Sequence, residues 1–239
     1  MAKIAVIDIG TNSIHMVLAE IQPDASYKIL DRFKDMTRLG NGAFTTHRLS
    51  DEAITRGLDV IRNLVTLAKN KGYDRIIAVA TSAVREAKNG GDFIDLVAEH
   101  TGLTVRVISG TEEARLIFLG VKNNVPMTEQ PTISVDVGGG SVELMVGNRD
   151  QLLHSKSLKL GAIRLADEFL KRTPPSEGML RSLEDTVTAQ LQSALDSFKT
   201  KRFDSLIATS GMAGNFRREP TRSGRRPERS LPGPPRWGC

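Results

Sequence analysis

Asp8-Ile9-Gly10-Thr11-Asn12-Ser13 and Asp136-Val137-Gly138-Gly139-Gly140-Ser141 are the two stretches that decide the fold of this chain. We name residues 8–13 the first turn and residues 136–141 the second turn. Each follows a β-branched run, at residues 4–7 or 133–135, and leads into another apolar run, which predicts a hairpin between buried strands. A single turn of this composition needs no ligand. Two copies indicate two similar domains that each give one turn to a shared cleft.

The composition of the turns predicts an anion site with a metal ion. Glycine permits positive φ and a close backbone approach, so successive N–H groups can point at one phosphate. A carboxylate there would repel phosphate, so Asp8 and Asp136 are predicted to bind Mg²⁺, directly or through water. The polar side chains of the turns can add donors or simply satisfy their own turn. The candidate phosphate-binding residues of the turns are Gly10, Thr11, Asn12, Ser13, Gly138, Gly139, Gly140 and Ser141.

The two turns and Ser109-Gly110-Thr111-Glu112-Glu113-Ala114-Arg115, in this order, resemble the Ppx/GppA phosphatase family. The resemblance covers residues 3 to 215. That family comprises exopolyphosphatases and guanosine pentaphosphate phosphohydrolases and belongs to the actin-like ATPase superfamily. The resemblance implies an α/β fold of two actin-like, ribonuclease H-like domains with mixed sheets around a central cleft. We expect residues 1–124 to form the first domain and 125–216 a second, truncated domain.

The resemblance also assigns three side chains outside the turns. It places the catalytic glutamate on Glu113, at the start of a predicted helix, where an acid is also explained by the helix dipole alone. Arg85 matches a phosphate-contacting arginine of the family. A guanidinium can bind phosphate oxygens bidentately, and an ordinary surface arginine is the alternative. Glu143 matches a metal or water ligand, but strand alternation also allows it to be a polar strand residue.

The periodicity of the remaining chain predicts alternating strands and helices. Residues 122–131, with two asparagines and two prolines, are the candidate hinge between the domains. The four histidines show no metal-ligand spacing and are interpreted as ordinary surface or core residues. Predicted strands cover residues 3–10, 13–21, 27–39, 75–80, 105–108, 132–137, 141–147, 151–158 and 205–209, and predicted helices cover 50–71, 93–100, 112–123, 162–171 and 176–199.

The net charge of +5 comes from the last residues of the chain. Residues 217–239 contain seven arginines and two glutamates, so the preceding part is electrically neutral and gives no basis for specific nucleic-acid binding. These residues show neither helical nor strand periodicity and are predicted to be disordered. The abrupt change after Asn215 favours a frameshift-derived end, and a native basic tail that touches RNA or anionic lipid is the alternative.

We expect a cytoplasmic protein without a membrane span, because no apolar run approaches about 18 residues and no signal peptide is evident. The single cysteine, Cys239, excludes an internal disulfide. The function predicted with the resemblance is Mg²⁺-dependent hydrolysis of a terminal phosphoanhydride, which releases orthophosphate from inorganic polyphosphate or guanosine pentaphosphate. The alternatives are an actin-like kinase or ATPase, for which only residues 211–214 could add to a nucleotide pocket, and a non-catalytic polyphosphate or nucleotide sensor. A homodimer is left open.

Overall fold

The computed structural model describes residues 2–24, 26–198, 203 and 205–209. These residues form nine strands and seven helices, whose order follows the predicted alternation. The strands are β1 Ala2–Ile9, β2 Ile14–Ile21, β3 Tyr27–Asp35, β4 Arg75–Ala80, β5 Val105–Val107, β6 Thr132–Val137, β7 Val142–Gly147, β8 Leu152–Leu158 and β9 Ser205–Thr209. The helices are α1 Ala43–Thr46, α2 Asp51–Asn70, α3 Ser82–Glu86, α4 Gly90–Thr101, α5 Gly110–Asn124, α6 Ala162–Phe169 and α7 Glu177–Asp196.

The strands form two mixed sheets that share the arrangement of four strands, and the first sheet has a fifth strand, β5. The first sheet has the order β3-β2-β1-β4-β5 and the second the order β8-β7-β6-β9. In each sheet a central strand, β1 or β6, pairs antiparallel with its hairpin partner and parallel with a strand that follows a crossover. The predicted repeat is therefore confirmed. Each turn lies at the carboxyl end of a central strand, where α/β sheets bind ligands.

The first sheet has its own apolar core. One face of β1 buries Ala5, Ile7 and Ile9, and these side chains pack with the apolar face of α2. Helix α2 begins where predicted, because the Ser50 hydroxyl accepts a hydrogen bond from the N–H of Ala53 at 3.2 Å. This core fixes the position of β1 and thus of the first turn.

Helix α5 follows the first sheet in sequence but packs on the second. Its buried residues Ala114 and Phe118 contact Met145 of β7 in a small separate cluster. The ring of Phe118 lies over Gly147, where a Cβ would stand 2.3 Å from the ring. Since Glu113 is in the first turn of α5, this packing fixes it relative to the second sheet as well as the first.

The structure differs from the sequence prediction after β3. This strand ends at Asp35 and not near residue 39, because Arg38 adopts a left-handed φ of 51° and the chain turns toward the first turn. Helices α1 and α3 were not predicted, since four or five residues are too few for a detectable helical period. Helix α6 ends at Phe169, two residues before its predicted end.

Several predictions lie outside the described residues. They concern the tail at 217–239 and the glycine turn at 211–214. Among the residues that the structure describes, no helix combines the length and apolar character that crossing a bilayer requires.

The packing of α5 predicts different effects for two adjacent side chains. Phe118→Ala should lower the free energy of unfolding by about 3–5 kcal/mol, because it removes a buried ring and leaves a cavity over Gly147. Leu119→Ala, at an exposed position, should change it by less than about 1 kcal/mol. Urea denaturation followed by circular dichroism measures both, and equal effects would contradict the packing of α5 on the second sheet.

Candidate active site

The two turns have the same internal geometry. The N–H of Gly10 donates to the carbonyl of Ser13 at 3.1 Å, and the N–H of Gly138 donates to the carbonyl of Ser141 at 3.0 Å. In both cases the acid that heads the turn is the penultimate residue of the central strand. The sequence repeat is thus also a repeat of backbone structure.

The two turns approach each other closely and line the same cleft. An ideal Cβ on Gly140 would lie 2.7 Å from the Thr11 hydroxyl and 2.0 Å from the Ser82 hydroxyl, so only glycine permits this approach. The hydroxyls of Thr11 and Ser82 are themselves hydrogen-bonded at 3.0 Å. The cleft has a volume of about 550 Å³. The predicted residues that line it are Asp8, Gly10, Thr11, Asn12, Ser13, Glu113, Asp136, Gly138, Gly139, Gly140 and Ser141.

Close approach, and not positive φ, explains the glycines of the turns. Glycines with left-handed φ among the described residues are at positions 42, 72 and 102, outside both turns. Of the two properties of glycine that were considered, the turns therefore do not use positive φ. A Cβ on Gly140 would collide with Thr11 of the opposite turn, and one on Gly139 would lie in tight contact with it at 3.0 Å.

The carbonyl groups of the first turn accept hydrogen bonds from the segment that follows β3. The carbonyl of Thr11 accepts from the N–H of Gly40 at 2.9 Å, and that of Asn12 accepts from the N–H of Arg38 at 2.8 Å. In a trans peptide the N–H points opposite to the carbonyl. The N–H groups of Asn12 and Ser13 are thereby directed away from the residues that hold the turn.

The carbonyl groups of the second turn are held by the start of α6. The N–H of Ala162 donates to the carbonyl of Gly138 at 3.0 Å, and the N–H of Ile163 donates to that of Gly139 at 2.8 Å. Within the part of the chain that the structure describes, no group accepts a hydrogen bond from the N–H of Gly139 or Gly140. These N–H groups are available to an anion.

Glu113 lines the cleft and forms an ion pair with Arg85. Its Oε2 atom accepts from Nη1 of Arg85 at 3.0 Å, and its side chain is 15% exposed. Burial raises the pKa of Glu113, Arg85 offsets part of this rise, and the charge of Asp136 adds to it. Arg85 also donates to the carbonyl of Ile108 at 2.9 Å. A glutamate with a raised pKa is suited to accept a proton from water.

The adjacent glutamate has a different environment. Glu112 receives two hydrogen bonds from Arg115, at 2.7 and 2.9 Å, on the exposed side of α5. Arg115 and, more weakly, Arg106 hold the pKa of Glu112 below its usual value. The structure therefore separates the two glutamates that are neighbours in the sequence, and only Glu113 lines the cleft.

The acids that head the turns both have raised pKa values. Burial, followed by the charges of Glu113 and Asp136, raises the pKa of Asp8 to about 6. Burial also raises the pKa of Asp136, while a hydrogen bond of 2.6 Å from the hydroxyl of Thr209 opposes the rise. The cleft therefore holds negative charge that the protein compensates only in part.

Glu143 lies below the floor of the cleft. It pairs with Asp136 across the β6–β7 ladder, is 1% exposed, and accepts from the Ser157 hydroxyl at 2.7 Å. Burial, with the charge of Glu113, raises the pKa of Glu143 to about 7. Glu143 therefore does not lie on a solvent-facing polar side of β7, because its side chain is buried.

Two basic residues that line the cleft were not assigned a role from the sequence. His15 and Lys34, which pair across β2 and β3, both line the cleft. Nε2 of His15 lies 2.7 Å from the Ser13 hydroxyl, and burial, followed by Lys34, lowers the pKa of His15. A signal existed in the sequence, since His15 and Glu143 occupy equivalent positions opposite Asp8 and Asp136. The interpretation of His15 as an ordinary surface or core residue overlooked it.

The fold and the cleft define an actin-like α/β protein with a polar site between two domains. The chain matches the model of the Ppx/GppA phosphatase family over residues 17–221, and it belongs to that family. The predicted family and fold class are both confirmed.

Proteins of this family are similar in sequence and structure. Exopolyphosphatase 1 of Mycobacterium leprae is 29% identical over 240 aligned residues, which cover 96% of this chain and 69% of that protein. The crystal structure of an exopolyphosphatase from Cytophaga hutchinsonii has a TM-score of 0.79 and 34% identity, and covers 87% and 67% of the two chains. The Aquifex aeolicus member of the Ppx/GppA family has a TM-score of 0.69 and 30% identity, with coverage of 88% and 66%. The chain thus spans about two thirds of these relatives.

The raised pKa values predict that stability decreases as the pH rises. Asp8 and Glu143 bind protons more tightly when folded, so their contribution is complete below their unfolded pKa and is lost through pH 6 and 7. In a chelating buffer, the free energy of unfolding from urea titrations should fall between pH 5 and 8. Glu143→Gln should make this fall smaller.

Glu112→Gln is the matched control for this experiment. The pKa of Glu112 is lowered, so its contribution is lost only as the pH falls, and its replacement should leave the decrease above pH 5 intact. A wild-type stability that rises between pH 5 and 8 would contradict the repulsion among the cleft carboxylates.

Proposed function

We propose that this protein hydrolyses a terminal phosphoanhydride of a polyphosphate and releases orthophosphate. The observation that carries the proposal is the meeting of two N–H-presenting turns with Glu113 in one cleft, where Glu113 is paired with Arg85. Arg85 itself is not among the residues that line the cleft. Oriented N–H groups bind phosphate oxygens without reorganisation. Hydrolysis further needs a group that orients and deprotonates water, and the cleft supplies a carboxylate for that task.

Glu113 and Arg85 take the two complementary roles in this proposal. Glu113 accepts the proton of the attacking water, which then adds to the terminal phosphorus as the bridging oxygen leaves with the shortened chain. Arg85 uses Nη1 for Glu113 and the carbonyl of Ile108. Its other N–H groups remain to grip the oxygens of the terminal phosphate, on which charge collects in the transition state.

Asp8 and Asp136 are the proposed protein ligands of Mg²⁺. Within the described residues, no three His, Cys, Asp or Glu side chains are arranged as a complete metal site. The proposal of Mg²⁺ rests on Asp8 and Asp136 lining one cleft, since proteins usually hold this ion through one or two carboxylates together with water and substrate phosphates. When bound, the ion would neutralise phosphate charge. Glu143, buried behind Asp136, is proposed to orient Asp136 or a ligand water.

Inorganic polyphosphate is the substrate that we favour. The Mycobacterium leprae and Cytophaga hutchinsonii relatives are named exopolyphosphatases. Guanosine pentaphosphate, which offers the same terminal bond, is the second substrate to test, because backbone N–H groups, carboxylates and a guanidinium are suited to bind phosphate and metal and do not distinguish a base. A panel with inorganic polyphosphate, guanosine pentaphosphate and ATP, assayed for phosphate release with and without Mg²⁺, separates these substrates.

Substitution of the proposed base should separate turnover from binding. Glu113→Gln should reduce kcat for phosphate release by about 10²–10⁴-fold, because the amide cannot accept the proton of water. The dissociation constant for tripolyphosphate, measured by titration calorimetry, should change little, since the turns that bind the phosphates remain.

Glu112→Gln provides the matched control on the same helical turn. Its partner is Arg115 on the outside of α5, so both kcat and affinity should remain within about twofold of wild type. Full activity of Glu113→Gln would exclude this residue as the base. Tripolyphosphate binding without phosphate release by the wild-type protein would support the sensor, and transfer of phosphate from ATP to an acceptor would support the kinase.

The contact between the turns predicts a second effect on binding. Gly140→Ala introduces a Cβ that collides with Ser82 and Thr11, and relief requires the turns to separate. Since such overpacking costs about 1–3 kcal/mol, tripolyphosphate affinity should fall at least about fivefold. Gly91→Ala, whose added Cβ meets no atom within 4 Å, should leave calorimetric affinity unchanged. Equal affinities for both variants would argue against anion binding between the turns.

A further inference from the structure

Arg164 is a buried cation on the side of the second turn opposite the cleft carboxylates. It lies in α6 and is only 8% exposed. Its Nε atom donates to the carbonyl of Gly140 at 2.7 Å, and its Nη2 atom donates to Oε1 of Glu86 at 2.6 Å. The guanidinium carbon lies 3.9 Å from the centroid of the Phe44 ring. One side chain therefore contacts the second turn and two helices of the first domain.

Each contact of Arg164 reaches a group next to the proposed phosphate site. Gly140 lines the cleft. The carbonyls of Gly138 and Gly139 accept hydrogen bonds from backbone N–H groups of α6, and the carbonyl of Gly140 accepts one from the Arg164 side chain. Glu86 directly follows Arg85 in α3. Arg164 thus fixes the position of Gly140 relative to the helix that carries the arginine of the site.

Two further contacts connect α6 and the residue before it to the second turn and to the first domain. A Cβ on Gly161 would lie 2.3 Å from backbone atoms of Gly140, so the chain before α6 packs directly on the second turn. The carboxylate of Asp167 accepts from the N–H of Gly42, which precedes α1, at 2.9 Å. Helix α6 is therefore a structural connection between the second turn and the first domain.

We propose that Arg164 is a positioning residue that holds the two domains and the second turn in the arrangement required for catalysis. It acts through the carbonyl of Gly140 and through Glu86, and it has no contact with the substrate. The kinetic part of this inference rests on the proposed function, whereas the structural part concerns the relative position of the domains alone. Loss of the guanidinium leaves the Gly140 carbonyl without this donor and weakens the link to α3.

Lys159 is the control that separates this role from a general ionic effect. It also pairs with Glu86, at 3.0 Å, but its side chain is 71% exposed. The structure records no hydrogen bond from Lys159 to the second turn within the described residues. Lys159→Gln therefore removes a cation from Glu86 without removing a support of Gly140.

The first measurement is the distance between the domains in the full-length chain. Spin labels are placed on Asn63→Cys in α2 and Glu184→Cys in α7, two exposed helical positions, in a Cys239→Ser background. Arg164→Gln should lengthen and broaden the distance distribution measured by electron–electron double resonance. Lys159→Gln should leave that distribution unchanged. An unaltered distribution in Arg164→Gln, with wild-type circular dichroism, would overturn the inference.

The second measurement is the division of the effect between kcat and KM. With tripolyphosphate, Arg164→Gln should lower kcat about tenfold or more and raise KM by a smaller factor, because small displacements of reacting groups affect turnover most. Arg164→Lys, which retains a charge for Glu86 but not the guanidinium geometry for Gly140, should recover only part of kcat. Full recovery would show that charge alone suffices and would contradict the role of the Gly140 contact.

The distance measurement tests the inference even if the proposed function is wrong. If the wild-type chain releases no phosphate, the proposed function is wrong, but the distance measurement still tests the position of the domains. If Arg164→Gln proves too unstable to study, Arg164→Lys carries the same distance test, with a smaller expected change. A wild-type kcat for a folded Arg164→Gln chain would exclude a positioning role whatever the distances show.

Discussion

The orientation of the peptide groups in the two turns is the constraint on which the site depends. A peptide cannot present its N–H to the cleft unless its carbonyl is accommodated on the other side. Residues 38–40 accommodate the carbonyls of the first turn, and the start of α6 accommodates those of the second. The anion site is therefore built as much by the segments behind the turns as by the glycines in them.

The segments that hydrogen-bond the carbonyls of the two turns differ in the domains that they contact. The first turn is held by a segment of its own domain, which leaves β3 at Asp35 and reverses through the left-handed Arg38. The second turn is held by α6, which also contacts the first domain through Glu86 and Gly42. A motion of the domains would therefore disturb the second turn directly, whereas the first turn would move with its own sheet as one unit.

Local signals explain what the sequence could predict. The turns and central strands are recognisable because each is encoded within ten residues, and their repetition made a shared cleft the simplest arrangement. The distinction between Glu112 and Glu113 needed the resemblance, since both occupy the first turn of one helix. Arg164 could not be recognised, because its partner Glu86 lies 78 positions away and no periodic pattern joins them. Short helices such as α3 were invisible for lack of a full period.

Carboxylates outnumber lysines among the described residues that line the cleft, since Asp8, Glu113 and Asp136 accompany one lysine, Lys34. Burial raises the pKa values of Asp8, Glu113, Asp136 and Glu143. Repulsion from the charge of Asp136 adds to the rise at the other three, and Arg85 offsets part of it at Glu113. A bare polyanion meets this repulsion, whereas a polyanion that arrives with a divalent cation relieves it. Under the proposed function, cation and phosphate must therefore each increase the affinity for the other. A lysine-lined cleft would attract many polyanions, but this coupling restricts binding to phosphates that share a metal ion with the two turns.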